Sequence, residues 1–164
     1  MMLAKTDQVI ELKLDCVPEA SVSGALLLQT EYSTYLTFNA MREQTDEQYV
    51  DVGHAVVEFF RCIRTQFGHP NDEALPGHPL YVDGLDQFAY GIFEVLNSSW
   101  IREIERQNRV HFPNATDWAV GLRHFIFTFH DSTFECVAQD FKLEVTDELY
   151  EQIFARISKR ILAE

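Results

Sequence analysis

Apolar and polar residues alternate most cleanly over Arg123 to Ala138, where Phe125, Phe127 and Phe129 stand opposite His124, Ile126, Thr128 and His130 around a short polar break at Asp131-Ser132. A period of two over that length predicts a β-hairpin. Alternation recurs from Val9 to Val17, with Ile10, Leu12, Leu14 and Cys16 on one face, and predicts a half-buried antiparallel strand stopped by Pro18. Residues 25 to 41 hold two strand-like segments broken near Glu31 to Ser33, which fit a hairpin or one bent strand. Val50 to Phe67 matches helical spacing by count, but its β-branched and aromatic content and the closing Gly68 favour extended chain. Phe88 to Leu96 predicts a further strand, and Asn97-Ser98-Ser99 offers caps for a short helix over about residues 100 to 107.

The period changes at the end of the chain. Leu149, Ile153, Ile157 and Ile161, with Tyr150 and Phe154 beside them, recur at a spacing near 3.6 and predict an amphipathic helix. Thr146 is placed to cap it, Asp147 and Glu148 suit its positive end, and Lys159 and Arg160 its negative end. Burying that stripe is worth on the order of 10 kcal/mol before entropy is subtracted, so the helix is expected to cover a sheet or a partner subunit. Two segments, residues 68 to 81 with three prolines and two glycines, and 111 to 121, predict loops. The fold class expected is α+β: mainly antiparallel β-sheet covered by the C-terminal helix, with one short internal helix, in a single domain over residues 1–164.

Composition narrows the function classes. Lys plus Arg number 13 against 26 Asp plus Glu, a formal charge of −13, which repels phosphate backbones and anionic lipid. Neither nucleic acid nor a membrane is an expected partner; a protein partner or self-association is. No apolar run reaches the roughly 18 residues of a membrane span, and the start at Met1 to Asp7 lacks the apolar core of a signal peptide, so a soluble cytoplasmic protein is expected. Cys16, Cys62 and Cys136 are widely spaced in apolar runs, as buried reduced thiols are.

Candidate chemistry collects in two segments. On the hairpin, His124, His130, Asp131 and Glu135 are the residue types that move protons or bind metals. A turn at Asp131-Ser132 would bring Glu135 to His130 as an acid–base pair, whereas His124 and His130 stand about 20 Å apart at roughly 3.3 Å per residue and cannot share one ion. In the proline-rich loop, His69, Asp72 and His78 are candidate ligands for a metal or substrate, and Tyr81 a candidate proton donor. The same residues also suit a solvated cross-strand contact and a rigid connection. Ser98 and Ser99 lack a G-x-S-x-G elbow and read as a helix cap.

Three segments in order, F-G-H-P-N-D-E-A-L-P-G-H-P-L-Y at 67 to 81, N-S-S-W-I at 97 to 101 and R-H-F-I-F-T-F-H-D-S-T-F-E-C at 123 to 136, resemble a family of uncharacterised bacterial proteins. The resemblance spans about the middle half of the chain and implies no activity, substrate or cofactor. Three functions therefore remain in view: a non-enzymatic interaction protein with an acidic surface; a metal-dependent or acid–base enzyme with its site between the 68–81 loop and the 123–138 hairpin; and a small-ligand binder lined by phenylalanines.

Overall fold

The computed structural model describes residues 6–21, 24–45, 47–87 and 90–163. Among these, ten strands and two α-helices follow one another as β1 (Gln8–Glu11), β2 (Val17–Pro18), β3 (Leu26–Gln29), β4 (Thr34–Glu43), β5 (Tyr49–Phe60), β6 (Arg64–Gly68), β7 (Gly91–Leu96), α1 (Ser99–Asn108), β8 (Arg123–Thr128), β9 (Thr133–Ala138), β10 (Asp140–Thr146) and α2 (Tyr150–Ile161). They form two five-stranded sheets. One runs β1-β7-β8-β9-β6; the other runs β10-β5-β4-β2, with β3 also paired to β4. Every pairing is antiparallel. The α+β class, the antiparallel sheets, the short internal helix and the C-terminal helix all stand as the hydropathy pattern predicts.

The alternation of β8 and β9 decides what each sheet face is for. Phe125, Phe127, Phe134 and Cys136 point between the sheets, where they meet Leu36, Phe38, Ala55, Val57 and Phe59 from β4 and β5. Phe59 lies 5.4 Å from Phe134 and 5.7 Å from Phe127, ring centre to ring centre, across the two layers. Such tilted and edge-on aromatic pairs contribute roughly 0.5 to 1.5 kcal/mol each beyond their buried area. The opposite faces carry smaller cores. Phe93, Val95 and Ile126 are covered by Leu75, Leu80 and Leu85 from the connection between β6 and β7. Tyr35 and Val56 are covered by Ile153 and Ile157 of α2.

Several boundaries differ from the sequence pattern. The Val9 to Val17 segment is two strands, because the chain leaves the edge of one sheet at Glu11 and joins the edge of the other at Val17. Leu14 in between is exposed. Pro18 is the last residue of β2, at an edge position opposite Ala40 where its missing N–H costs no ladder bond. The 50–67 segment is extended as expected, yet it too changes sheets, through Arg61 in the left-handed region at φ 48°. Residues 25 to 41 are the hairpin alternative, β3 with β4. The strand expected from Phe88 begins at Gly91; Phe88 and Ala89 lie outside the described residues, as do Met1 to Lys5 of the start.

The C-terminal helix starts later than its expected cap. Thr146 ends β10 and its hydroxyl accepts from the Glu148 N–H, while the Gln152 side chain accepts from the Leu149 N–H at the helix entrance. Of its stripe Ile153 and Ile157 are buried, but Leu149 and Phe154 are exposed. Among the described residues no helix is long and apolar enough to cross a membrane.

Candidate functional site

The polar face of β8 and β9 is the outer face of its sheet, beneath the connection between β6 and β7. Ile126 pairs with Glu135, so the diagonal neighbours of Glu135 on that face are His124 and Thr128. The result is a hydrogen bond from His124 Nε2 to Glu135 Oε2 at 2.9 Å. From above, His78 in the proline-rich connection brings its Nε2 to Glu135 Oε1 at 2.6 Å. Three-residue 3-10 turns at Leu75–Gly77 and Tyr81–Asp83 flank His78 and hold it inward, anchored by Leu75 and Leu80 in the small core. The carboxylate is thus bracketed by two imidazoles, all three buried.

Hydrogen-bond roles follow from the surroundings. The Leu80 N–H donates to His78 Nδ1 at 3.1 Å. A backbone amide can only donate, so His78 Nδ1 is held as an acceptor and its proton sits on Nε2, facing Glu135. On the other side, Ser98 Oγ lies 2.9 Å from His124 Nδ1 and also accepts from the Ile101 N–H at 3.2 Å as the cap of α1. A hydroxyl donates or accepts by rotating, so His124 is the one histidine of the pair whose second nitrogen can change role. Burial pushes the Glu135 carboxyl up, but the bonds from His124 and His78 outweigh it and bring the group down to about 2. A buried anion is the consequence.

This cluster opens on a cleft of about 770 Å³, within the size range of small-molecule sites. His78, His124 and Glu135 lie in its wall with Trp100, Arg102 and Arg106 of α1 and with His69. The Trp100 ring stands edge-on to His124 at 5.0 Å. Arg102 is directed by Asp7 and the Asn97 carbonyl.

His130 belongs elsewhere. The expected His130–Glu135 pair requires a two-residue turn at Asp131-Ser132, but Thr128 pairs with Thr133 and the connection is four residues long. That shift of two positions gives Glu135 to His124 in place of His130. His130 Nδ1 instead donates to Asp72 Oδ2 at 2.8 Å, and the Tyr90 hydroxyl donates to the same oxygen at 2.6 Å. Bonds from Tyr90 and His130 pull the Asp72 carboxyl down, and Asp72 in turn raises His130 and pushes Tyr90 to about 12. Asp131 Oδ1 stands 3.9 Å from His130 Nε2. Tyr81 packs on the Leu75–Leu80 core, outside the cleft wall. The candidates thus divide into His78, His124, Glu135 and His69 at the cleft, and Asp72, His130 and Asp131 at the hairpin tip.

The sequence marks Ser98 as a cap and not as a partner of His124. A signal for the second role exists, since Val95 pairs with His124 and Ser98 follows three residues later, but that register is visible only once the strands are paired. Among the described residues no group of three or more His, Cys, Asp or Glu side chains is arranged to hold a metal ion. No family model matches the chain, and no curated protein or solved structure shows significant similarity to it.

Proposed function

We propose that the protein is an acid–base enzyme acting on a small polar substrate held in the cleft over Glu135, the enzymatic alternative that places the site between the 68–81 loop and the 123–138 hairpin. The observation behind this reading is a carboxylate buried between two histidines that both hydrogen-bond to it, in the wall of a cleft of about 770 Å³. Burying ionised groups costs several kcal/mol that apolar packing would avoid, and perturbed titrating groups in clefts mark functional sites. The roles divide by hydrogen-bond capacity. His78 is fixed by Leu80 and positions Glu135; Glu135 orients His124 and stabilises its charge; His124 gains and loses the proton through Nδ1.

The test is turnover of a panel of chromogenic carboxylic esters, phosphate esters and glycosides between pH 5 and 9. At least one class should be turned over, with a loss of about a hundredfold or more in Glu135→Gln and His124→Gln variants that remain folded. No turnover, or equal turnover by the two variants, overturns the reading.

A further inference from the structure

We propose that Ser98 is a nucleophile, and that the reaction of the cleft is acyl transfer from a small carboxylic ester to water through an acyl-serine. This deepens the acid–base reading and rests on it.

Position comes first. The chain leaves β7, turns sharply at Asn97 in the left-handed region at φ 54°, and enters α1 with Ser98 as its first cap. A hydroxyl at such a strand-to-helix corner sits at the positive end of a ten-residue helix, which favours negative charge developing there. The polar partners of that hydroxyl then supply the rest. Ser98 Oγ, His124 and Glu135 form an unbroken relay with spacings of 2.9 Å and 2.9 Å. The serine lies on Nδ1 and the carboxylate on Nε2; because the two ring nitrogens are conjugated, a proton can enter at one while the other stays bonded to the carboxylate. His78 adds a second N–H to Glu135 and keeps it in place.

The hydroxyl has one proton and two lone pairs. The proton points to His124 and one lone pair takes the Ile101 N–H, which leaves one lone pair for attack. Ser98 is 5% exposed, while its neighbours Ser99, Trp100 and His124 line the cleft. The Trp100 ring stands edge-on to His124 at 5.0 Å in the cleft wall; in this proposal it is the cover of Oγ, displaced when substrate enters.

The step balances. Oγ attacks the carbonyl carbon as its proton passes to His124 Nδ1; the bond from the acyl carbon to the alcohol oxygen breaks, and the Nδ1 proton leaves with the alcohol. Water then attacks the acyl-serine, gives a proton to Nδ1, and the acid departs as that proton returns to Ser98.

A dialkyl fluorophosphonate tests this without knowledge of the ester, read by intact mass and peptide mapping. One adduct is expected, at Ser98. It should be absent in Ser98→Gly, the substitution that helix caps tolerate best after the capping residues themselves. The labelling rate should fall about a hundredfold or more in His124→Gln and rise in Trp100→Ala, with folding of each variant checked by circular dichroism. No adduct at Ser98 in either the parent or Trp100→Ala, or an equal rate in His124→Gln, overturns the proposal. If Ser98 stays unlabelled while Glu135→Gln still abolishes turnover of the substrate panel, only the nucleophile fails and the acid–base reading stands.

Discussion

Replacing Glu135 by Gln removes the buried charge and keeps the shape, so it isolates what ionisation contributes to the fold. The carboxyl falls from 4.5 to about 2 on folding, and its side chain is only 11% exposed, so little solvent screening applies. At 1.36 kcal/mol per unit, the preference of the folded state for the ionised form is on the order of 3 kcal/mol. The sign follows from proton counting. Between pH 4.5 and 2 the unfolded chain holds the proton that the folded chain lacks, so this contribution is complete above about 4.5 and fades as pH falls through about 2. Less than half of it remains at about pH 3. Gln cannot titrate, and its NH2 group facing His124 obliges that ring to move its proton to Nδ1, with Ser98 turning to accept. Urea unfolding of both proteins from about pH 7 down to about pH 3 makes the comparison, and the other carboxylates cancel in the difference. The gap between parent and variant should shrink as pH falls below 4.5. A gap that stays constant over that range refutes the bracketing of an ionised Glu135 by the two histidines.

Ile153→Ala should cost about 2 to 5 kcal/mol, since the fully buried side chain fills the space between α2 and Tyr35 and Val56; Phe154→Ala on the 52% exposed side should cost far less, and thermal unfolding of the two variants ranks them. Among the thiols, Cys62 should react first with a disulfide reagent, because the bond from Cys136 lowers it while burial pushes Cys16 to about 11 and raises Cys136 well above the ordinary thiol range. Mass mapping that finds Cys16 modified ahead of Cys62 contradicts that order.

The parts of the fold that repeat a local period are legible in the amino-acid sequence alone. Phe125, Phe127 and Phe129 face the core because alternation puts them on one side, and Ile153 and Ile157 face a sheet because a period near 3.6 does the same for a helix. What alternation does not encode is the partner. Residues 9 to 17 keep one rhythm while crossing from one sheet to the other, and nothing in the rhythm changes at Leu14. The candidate site is hidden in the sequence for the same reason. His78 and Glu135 are 57 positions apart, and their meeting depends on where a proline-stiffened connection lands. The choice between His124 and His130 as the partner of Glu135 turns on two residues of loop length. Ser98 reads as a cap and is one; its second bond, to His124, depends on the pairing of β7 with β8.

The hairpin of β8 and β9 stores two messages at opposite parity: its odd-numbered phenylalanines on β8 build the interior, and His124 with Glu135 faces the cleft. A single inserted or deleted residue inside either strand exchanges the two sets, driving imidazole and carboxylate into the aromatic layer and the rings out to water. Point substitution can alter chemistry and packing separately here, but a change of length cannot. Variation along these strands should therefore proceed by replacement on one face at a time and not by a change of frame, with length changes confined to the four-residue connection at their tip.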